Sequence, residues 1–339
     1  MVSAVPDRPG LRHSEAEPKN PHPLSFSCRC ETRERILWPA ASKWQKENCR
    51  SADFTLAKGG VPTVELDTLW TQAGAAAWGT CAYAGLLPHM DEHAQTKAEG
   101  LCPAPAGVYV AAFPYYAGET PGNLSRYARG EDYHTALARR LAPVCAALEK
   151  AHPFHKFVPL VDNSPLPERE AAALAGLGLR GKNGLVILPP WGSWLFLATV
   201  LTDLPLPSAP VPAPDCIGCG ACLAVCPGKA LGPNGFHLSS CLSELTQHKG
   251  ALTGEQMELL RRHDLIWGCD ACQTVCPYNR EVPITPLPEF RDGLFSTLCA
   301  KDVENSTRKQ FQAAFPDRAF TWRGPGVLAR NLKLKAENP

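Results

Sequence analysis

The stretch that decides the fold is CIGCGACLAVCP, residues 216–227, whose four cysteines and final proline have the spacing C-x2-C-x2-C-x3-C-P. The two-residue gaps can wrap three sulfurs around one cluster, and Gly218 and Gly220 permit the tight turns that this requires. Thiolates are soft ligands, and a cubane iron–sulfur cluster takes four of them. The spacing therefore predicts a 4Fe–4S site. In two-cluster proteins the cysteine before the proline, here Cys226, points to the other cluster.

A second and shorter motif, CDACQTVCP at residues 269–277, repeats this ending but lacks the first cysteine. Cys241 lies between the two motifs and can supply the missing ligand. Two clusters with four ligands each then have the eight cysteines that they need. We predict that the first cluster takes Cys216, Cys219, Cys222 and Cys276, and that the second takes Cys226, Cys241, Cys269 and Cys272.

Two alternatives compete with iron–sulfur clusters. Structural zinc also uses C-x2-C pairs, but it does not explain the x3-C-P ending of both motifs. Buried inert cysteines predict no regular spacing. The isolated cysteines are interpreted as core or surface thiols where they fall in the main body, and as non-ligands near the N-terminus. These are Cys81, Cys102, Cys145 and Cys299 in the body, and Cys28, Cys30 and Cys49 near the N-terminus.

Length and composition limit the classes of protein. The 339 residues suggest two or three domains, and a net charge of +1 gives no global basic field of the kind expected from a nonspecific nucleic-acid binder. No apolar run is long enough for a membrane helix, and the N-terminus lacks the apolar core of a signal peptide. We therefore expect a cytoplasmic protein, where most of its 15 cysteines stay reduced.

Residue patterns along the chain predict an α/β domain ahead of the cysteine motifs. Short apolar runs predict strands at 108–113, 157–161, 185–188 and 194–200. One helix is predicted from Tyr133, with Pro143 kinking or interrupting it. Another is predicted at 165–175, capped by Ser164 and ended by Gly176 and Gly178. Strands alternating with helices favour an α/β fold.

Composition also predicts the domain boundaries. Residues 203–215 are rich in proline and are expected to form a semi-rigid spacer rather than a packed element. The predicted units are a disordered or poorly ordered extension at 1–60, a cofactor-binding α/β domain at 64–203, a ferredoxin-like double-cluster domain at 204–300 and a helical tail at 301–339.

Several motifs together resemble those of the cobalamin-dependent epoxyqueuosine reductases. They are YARGEDYH at 127–134, VDNSP at 161–165 followed by Glu168 and Arg169, AGLGLRGKN at 175–183, GSW at 192–194 and GCDACQ at 268–273 with VCPYN at 275–279. The resemblance covers about residues 64–331, in matching order and spacing. It implies reduction of the epoxide of epoxyqueuosine at the tRNA wobble position to give queuosine, with cobalamin held in the α/β domain close to one cluster.

The resemblance also implies the site residues. The family's proton donor is the aspartate of a D-x-x-P motif, which corresponds to Asp162 here. Removal of an epoxide oxygen as water requires two electrons and protons, so an acid and a two-electron cofactor are both needed. Asp162 also follows a predicted strand, a usual place for ligand contact in α/β sheets. The implied cofactor contacts are Arg129, Asp132, Tyr133, Lys182, Asn183, Val186 and Leu197.

Each of these assignments has a structural alternative. Asp162 can be a helix cap, although Ser164 is better placed for that role. Lys182 and Asn183 follow a glycine-rich turn, where N–H groups and an ammonium can meet a cofactor, but an ordinary turn with a solvated lysine is the alternative. The residues at 129–133 can simply begin a helix.

The chain departs from the family pattern in two places. Family members commonly carry Asp-Thr-Gly-Pro where this chain has DNSP at 162–165. Longer members carry a C-terminal helical-repeat domain that helps to grip tRNA, whereas this sequence ends at Pro339. The tail is basic, and either a reduced phosphate-binding patch or a solvated helix face is expected from it. Its basic residues are Arg318, Arg323, Arg330, Lys333 and Lys335.

The leading functional prediction is therefore an epoxyqueuosine reductase-like enzyme with cobalamin and two 4Fe–4S clusters. Its expected partners are tRNA carrying epoxyqueuosine and an electron donor such as flavodoxin or ferredoxin, without a membrane. A cobalamin-dependent reductase of a small molecule, including a dehalogenase-like reaction, is one alternative. A ferredoxin-type electron carrier is the other. Cobalamin content separates the carrier from both enzymes, and tRNA binding separates the two enzymes.

Overall fold

The computed structural model describes residues 66–209, 211–232 and 235–337. The predictions for residues 1–60, including those for the three N-terminal cysteines, lie outside the described residues. Eight strands are found in the described ranges. They are β1 (Ala77–Ala82), β2 (Gly107–Pro114), β3 (Phe157–Leu160), β4 (Leu179–Arg180), β5 (Val186–Ile187), β6 (Leu195–Thr202), β7 (Leu231–Gly232) and β8 (Gly235–Phe236).

Helices surround and follow these strands. None of those in the described part of the chain has both the length and the apolar character that a membrane crossing requires. The helices are α1 (Leu66–Gln72), α2 (Glu92–Leu101), α3 (Tyr133–Ala151), α4 (Glu168–Leu174), α5 (Ala221–Ala224), α6 (Leu242–Gln247), α7 (Gly254–Arg262), α8 (Ala271–Thr274), α9 (Pro288–Arg291), α10 (Ala300–Val303), α11 (Arg308–Ala314) and α12 (Pro325–Ala336).

The main sheet has the strand order β1-β2-β6-β3, and each of its three pairings is antiparallel. Strand β2 is buried along its whole length, which explains why its sequence is a continuous apolar run. Its side chains alternate between two cores: Tyr109 and Phe113 pack with α3, whereas Val108 and Val110 pack with α2 and α4. The result is an α/β domain, as predicted, and helices cover both faces of its sheet.

Because the sheet is antiparallel, the position of Asp162 after a strand is no longer evidence that it contacts a ligand. The rule that ligands bind beyond the carboxyl ends of strands applies to open parallel sheets, and this sheet contains no parallel pair. Asp162 does lie two residues beyond β3. Its role must therefore be judged from its own contacts.

Helix α3 begins at Tyr133, as predicted, and continues through Pro143 without interruption. It buries Leu137, Leu141 and Leu148 against the sheet. Asp132 is its N-cap and accepts a hydrogen bond from the backbone N–H of His134 at 3.0 Å. The alternative interpretation, in which this segment begins a helix, therefore explains Asp132.

Helix α4 begins at Glu168, three residues later than predicted, and Ser164 does not cap it. The chain turns first through Asp162 and Asn163, whose φ angles of 46° and 43° lie in the left-handed region. The hydroxyl of Ser164 instead accepts a hydrogen bond from the N–H of Leu166 at 3.2 Å. Gly176 and Gly178 follow the helix with positive φ, as predicted.

The connector at 203–215 packs against the α/β domain, so the prediction of an unpacked spacer is wrong for its described residues. Ser208 accepts a hydrogen bond from the N–H of Ala82, and Ala213 donates to the carbonyl of Ala173. Leu206 is buried in the core beside α3. Proline removes backbone donors but leaves carbonyls and side chains free to make these contacts.

Beyond the connector, the short helices α5 and α8 carry the two cysteine motifs. Helix α12 packs on α7 and α10, where Leu334 joins a small core with Leu245 and Leu260. A further core around Trp267 and Phe320 connects the second cysteine motif to the C-terminal segment. The C-terminal helices are therefore packed against the cysteine-rich part.

Candidate active site between the sheet and the second cysteine motif

A cleft of about 470 Å³ lies between the α/β domain and the cysteine-rich part. Tyr133, Asp162 and Leu197 line it from the sheet side. The opposite side carries all four cysteines that are predicted to hold the second cluster: Cys226, Cys241, Cys269 and Cys272. The fold thus brings the predicted proton donor and the second predicted cluster into one cleft.

Asp162 is held in this cleft by hydrogen bonds to its side chain and backbone. Tyr133 donates its hydroxyl to Asp162 Oδ2, and His134 Nε2 lies 3.5 Å from the same oxygen. The backbone N–H of Asp162 donates to Glu168 Oε1 at 3.1 Å, and the N–H of Asn163 donates to Asp162 Oδ1 at 2.9 Å. Asp and Asn adopt the left-handed backbone more readily than other residues with a side chain, and these bonds fix the loop in that conformation.

These contacts set the charges of the three titratable groups. The hydrogen bond from His134, together with that from Tyr133, lowers the pKa of Asp162 to about 2. Burial opposes a charge on His134, but its hydrogen bonds to Asp132 and Asp162 raise its pKa to about 9. At neutral pH, Asp162 is therefore an anion and His134 is a cation beside it.

Glu168 behaves differently from Asp162 although both are carboxyl groups. Burial, and then repulsion from the Asp162 carboxylate, raises the pKa of Glu168 to about 7. Two neighbouring carboxyl groups with well-separated pKa values are a common feature of acid–base sites. The loop therefore carries one ionised carboxylate and one carboxyl that holds its proton up to neutral pH.

The first predicted cysteine set is brought together around Cys276. Burial, together with the charges of Cys219, Cys222 and Cys216, raises the pKa of the Cys276 thiol to about 11. Those charges act on Cys276 because the four side chains are close in space. The four cysteines line one small cavity, and Cys219 among them is exposed. That they hold one cluster stays a prediction.

The second set is grouped in the same way. Burial raises the pKa of Cys269 to about 12, and the charges of Cys241 and Cys226 act in the same direction. Burial also raises the pKa of Cys272 to about 12, with Cys269 and Cys241 as the strongest of its charged neighbours. Cys241 thus lies beside the second motif, where the missing ligand is needed.

Two of the sequence motifs bind each other across the domain boundary. Ser193 N–H donates to Asn279 Oδ1 at 2.7 Å, and Asn279 Nδ2 donates to Ser193 Oγ at 2.9 Å. Ser193 Oγ donates in turn to Gln273 Oε1, and Gln273 Nε2 donates to the Tyr115 hydroxyl at 3.2 Å. A Cβ on Gly192 would lie 1.9 Å from Asn279 Oδ1, so glycine is required there. This network fixes the second cysteine motif against the sheet.

Asp270, inside the second motif, makes a further contact between the domains. It accepts hydrogen bonds from the Ser125 hydroxyl and the Arg126 N–H, and its Oδ2 lies 3.2 Å from Arg126 Nη1. Asp270 is buried, so this pairing compensates for loss of solvent. It places the motif containing Cys269 and Cys272 next to the YARGEDYH segment.

The structure separates the predicted cofactor contacts into two groups. Tyr133, Asn183 and Leu197 line the cleft. The amide nitrogen of Asn183 is buried and has no hydrogen-bond partner among the described residues, as expected for a group that binds a ligand.

The remaining four predicted contacts do not line this cleft. The guanidinium of Arg129 is buried and donates to the backbone carbonyls of Leu124 and Thr120. Val186 is buried in the core between the sheet and α4. Lys182 lies beside the first cysteine set, where its N–H donates to Cys216 Sγ at 3.4 Å. Asp132 caps α3 and acts on the cleft through His134, because its Oδ1 lies 2.7 Å from His134 Nδ1.

His134 is the functional candidate that the sequence predictions missed. It occurs in the YARGEDYH motif, and Glu168 follows VDNSP as a rival carboxylate to Asp162. Their spacing to Asp162 was the available signal: Glu168 is six residues away, and His134 follows Tyr133 at the start of a helix. Their proximity depends on packing between α3 and the end of β3.

The basic tail does not form the predicted phosphate patch as a whole. Arg330 donates to the carbonyls of His248 and Leu245, and Lys335 donates to that of Leu260. Arg318 donates to carbonyls that include that of Gly130. These cations hold helices and loops together, whereas Lys333 is exposed.

Comparison with known proteins gives the family. Residues 96–163 match the family model described as epoxyqueuosine reductase QueG, DUF1730, and residues 215–279 match that of the 4Fe-4S double cluster binding domain. An epoxyqueuosine reductase of Lactococcus garvieae is 35% identical over 233 residues, which cover 65% of each chain. One of Aliivibrio fischeri is 34% identical over 260 residues, covering 73% of this chain and 68% of the relative.

A solved structure agrees with this match. A crystal structure of epoxyqueuosine reductase with an epoxyqueuosine-modified tRNA-Tyr stem loop has a TM-score of 0.69 and 27% identity, covering 80% of each chain. Fold and site define a class in which an α/β domain is followed by a ferredoxin-like double 4Fe–4S domain. The chain belongs to the epoxyqueuosine reductase family. It spans 65% of the Lactococcus garvieae relative and 56% of one from Listeria monocytogenes.

Proposed function

We propose that this chain reduces the epoxide of epoxyqueuosine in tRNA to queuosine, using cobalamin and two 4Fe–4S clusters. The observation that carries the proposal is the cleft in which Asp162 and His134 are accompanied by the second cysteine set. Support comes from the relatives, which are named epoxyqueuosine reductases, and from the family structure with a modified tRNA stem loop.

The residues of the cleft fit cobalamin. The unpartnered amide of Asn183 can bind one of the polar side groups of the corrin, and Leu197 supplies an apolar contact. When bound, cobalamin would supply the two-electron cleavage of the C–O bond, which one-electron clusters cannot perform alone.

The two cysteine sets define a direction for electron flow. Cys219 of the first set is exposed, whereas all four cysteines of the second set line the cleft. Electrons from a carrier such as flavodoxin or ferredoxin would therefore enter at the first cluster and leave through the second. The contact between α5 and α8, which carry the motifs, keeps the two sets adjacent.

Proton transfer is assigned to Asp162 and His134 together. Reduction of the epoxide breaks both C–O bonds and releases water, with consumption of two electrons and two protons. Since Asp162 is ionised at neutral pH, the transferable proton resides on His134. Asp162 holds that imidazolium in the cleft and passes the imidazolium proton to the leaving oxygen. The second proton comes from solvent, which reprotonates His134. The Tyr133 hydroxyl orients the carboxylate by donating to it.

Anaerobic preparation with cobalamin supplied, followed by assay on epoxyqueuosine-containing tRNA, tests the proposal. We expect about eight iron and eight sulfide per chain, base-off cob(II)alamin by paramagnetic resonance, and conversion of the tRNA. Failure to retain cobalamin would indicate an electron carrier instead. Retention of cobalamin with turnover of small epoxides or halides, but not of the tRNA, would indicate a small-molecule reductase.

A further inference from the structure

A line of contacts runs from the proton-donating loop to an exposed tryptophan on the same cleft. Tyr133, which donates to Asp162, packs edge-on against Tyr127 with ring centroids 6.3 Å apart. Gln247 Nε2 donates to the Tyr127 hydroxyl at 3.2 Å, and Trp322 Nε1 donates to Gln247 Oε1 at 3.3 Å. Trp322 lines the cleft and yet remains 40% exposed.

The indole of Trp322 is held in place by arginines. The guanidinium of Arg323 lies over the ring, 3.7 Å from its centroid, and Arg308 Nη2 donates to the Trp322 carbonyl at 2.9 Å. Arg323 Nε is buried without a hydrogen-bond partner among the residues described. One face of the indole is thus covered by a cation, and its edge is fixed by Gln247. The exposed part of the indole lies in the lining of the cleft, where a ligand can contact it.

We propose that Trp322 is a stacking platform for the base of a nucleotide next to the reacting one in the substrate RNA. This inference rests on the proposed function. Single-stranded RNA is recognised by stacking its splayed bases on aromatic rings, and arginines beside such rings add attraction to the base and to its phosphate. A rigid indole bordered by Arg308 and Arg323 combines these features. Binding of a small epoxide would not require an indole bordered by two arginines.

The test measures binding of a labelled anticodon stem-loop RNA carrying epoxyqueuosine to the anaerobic, cofactor-loaded protein. Trp322→Ala should weaken binding by roughly 5- to 100-fold, and Trp322→Phe should retain most of the affinity. Phe154→Ala is the matched control, because Phe154 is 93% exposed and lies outside the cleft lining. It should bind the RNA like the wild type. Cobalamin and iron contents should be equal in all four proteins.

A second RNA identifies the stacked base. Removing the base on one side of the reacting nucleotide should weaken binding to the wild type by the same factor, with no further loss in Trp322→Ala. Unchanged affinity of Trp322→Ala overturns the stacking assignment while leaving the proposed function intact. Trp322→Ala could instead lose cobalamin while its cofactor-loaded fraction binds the RNA normally. That result would overturn the stacking proposal, because it would show that the indole contacts the cofactor. A wild type that does not bind this RNA overturns both proposals.

Discussion

Replacement of Glu168 by Gln should stabilise the protein at alkaline pH and leave it much less affected at acidic pH. Glu168 accepts a hydrogen bond from the Asp162 N–H, and glutamine keeps an oxygen for that bond. What the substitution removes is a charge that is half-buried beside the Asp162 carboxylate. The charge is unfavourable, since burial and Asp162 raise the pKa of Glu168 from 4.5 to about 7.

The magnitude follows from the linkage between proton binding and folding. Because the folded state binds this proton more tightly, the stability that Glu168 contributes is fully present below about pH 4.5 and is lost as pH rises through about 7. The whole loss corresponds to about 3 kcal/mol. The stability gained by Glu168→Gln should therefore grow by about 2 kcal/mol between about pH 5.5 and pH 8.

Anaerobic thermal unfolding of the loaded protein at the two pH values measures this gain. We expect the difference in Tm between variant and wild type to increase by roughly 3 °C from the lower to the higher pH. Glu255→Gln is a matched control, since Glu255 also lies in the first turn of a helix but is exposed. A Tm difference that does not change with pH, or a variant less stable than wild type at pH 8, would refute the reasoning.

Three further predictions concern the clusters, the tail and the proton. Cys241→Ser should lower the iron content from about eight to about four atoms per chain. Cys299→Ser changes an exposed cysteine outside both sets and should keep the full iron content. Equal iron contents in the two variants would contradict the ligand assignment. Arg330→Ala should lower the free energy of unfolding by about 1.5–3 kcal/mol by leaving two carbonyls without their charged donor. Exposed Lys333→Ala should change it little, and denaturant titration compares the two. The single-turnover rate should fall as pH rises through about 9, where His134 loses its proton, and His134→Gln should remove that pH dependence; a wild-type rate that stays level there would exclude His134 as the proton source.

The double-cluster domain was predictable from sequence because the spacing within its motifs is local. The two-residue gaps, the glycines and the cysteine–proline endings are properties of short segments, and Cys241 followed from counting ligands. Strand β2 was also predicted from the sequence, because a strand that is buried on both faces has a continuous apolar run. Antiparallel pairing was not visible, because either direction of pairing gives such a run when both faces are buried.

The charges of the site and of the tail depend on tertiary contacts. His134 reaches Asp162 only because the first turn of α3 packs beside the end of β3. Arg330 and Lys335 looked like phosphate ligands in the sequence, but unpaired carbonyls of other helices lie within their reach. The start of α4 was misjudged because Pro165 suggested a first helical turn, whereas the preceding residues are left-handed.

The most direct test of the central claim is a single-turnover time course on epoxyqueuosine-containing tRNA, read by mass spectrometry of its nucleosides. The wild type with cobalamin and reduced clusters should convert the modified nucleoside to one lighter by a single oxygen atom. Asp162→Asn should retain both cofactors and react about 10²–10⁴ times more slowly, whereas Asp203→Asn, at a residue outside the cleft lining, should react at the parental rate. A fully loaded wild type that leaves the epoxide unchanged, or an Asp162→Asn protein that matches its rate, would contradict the account.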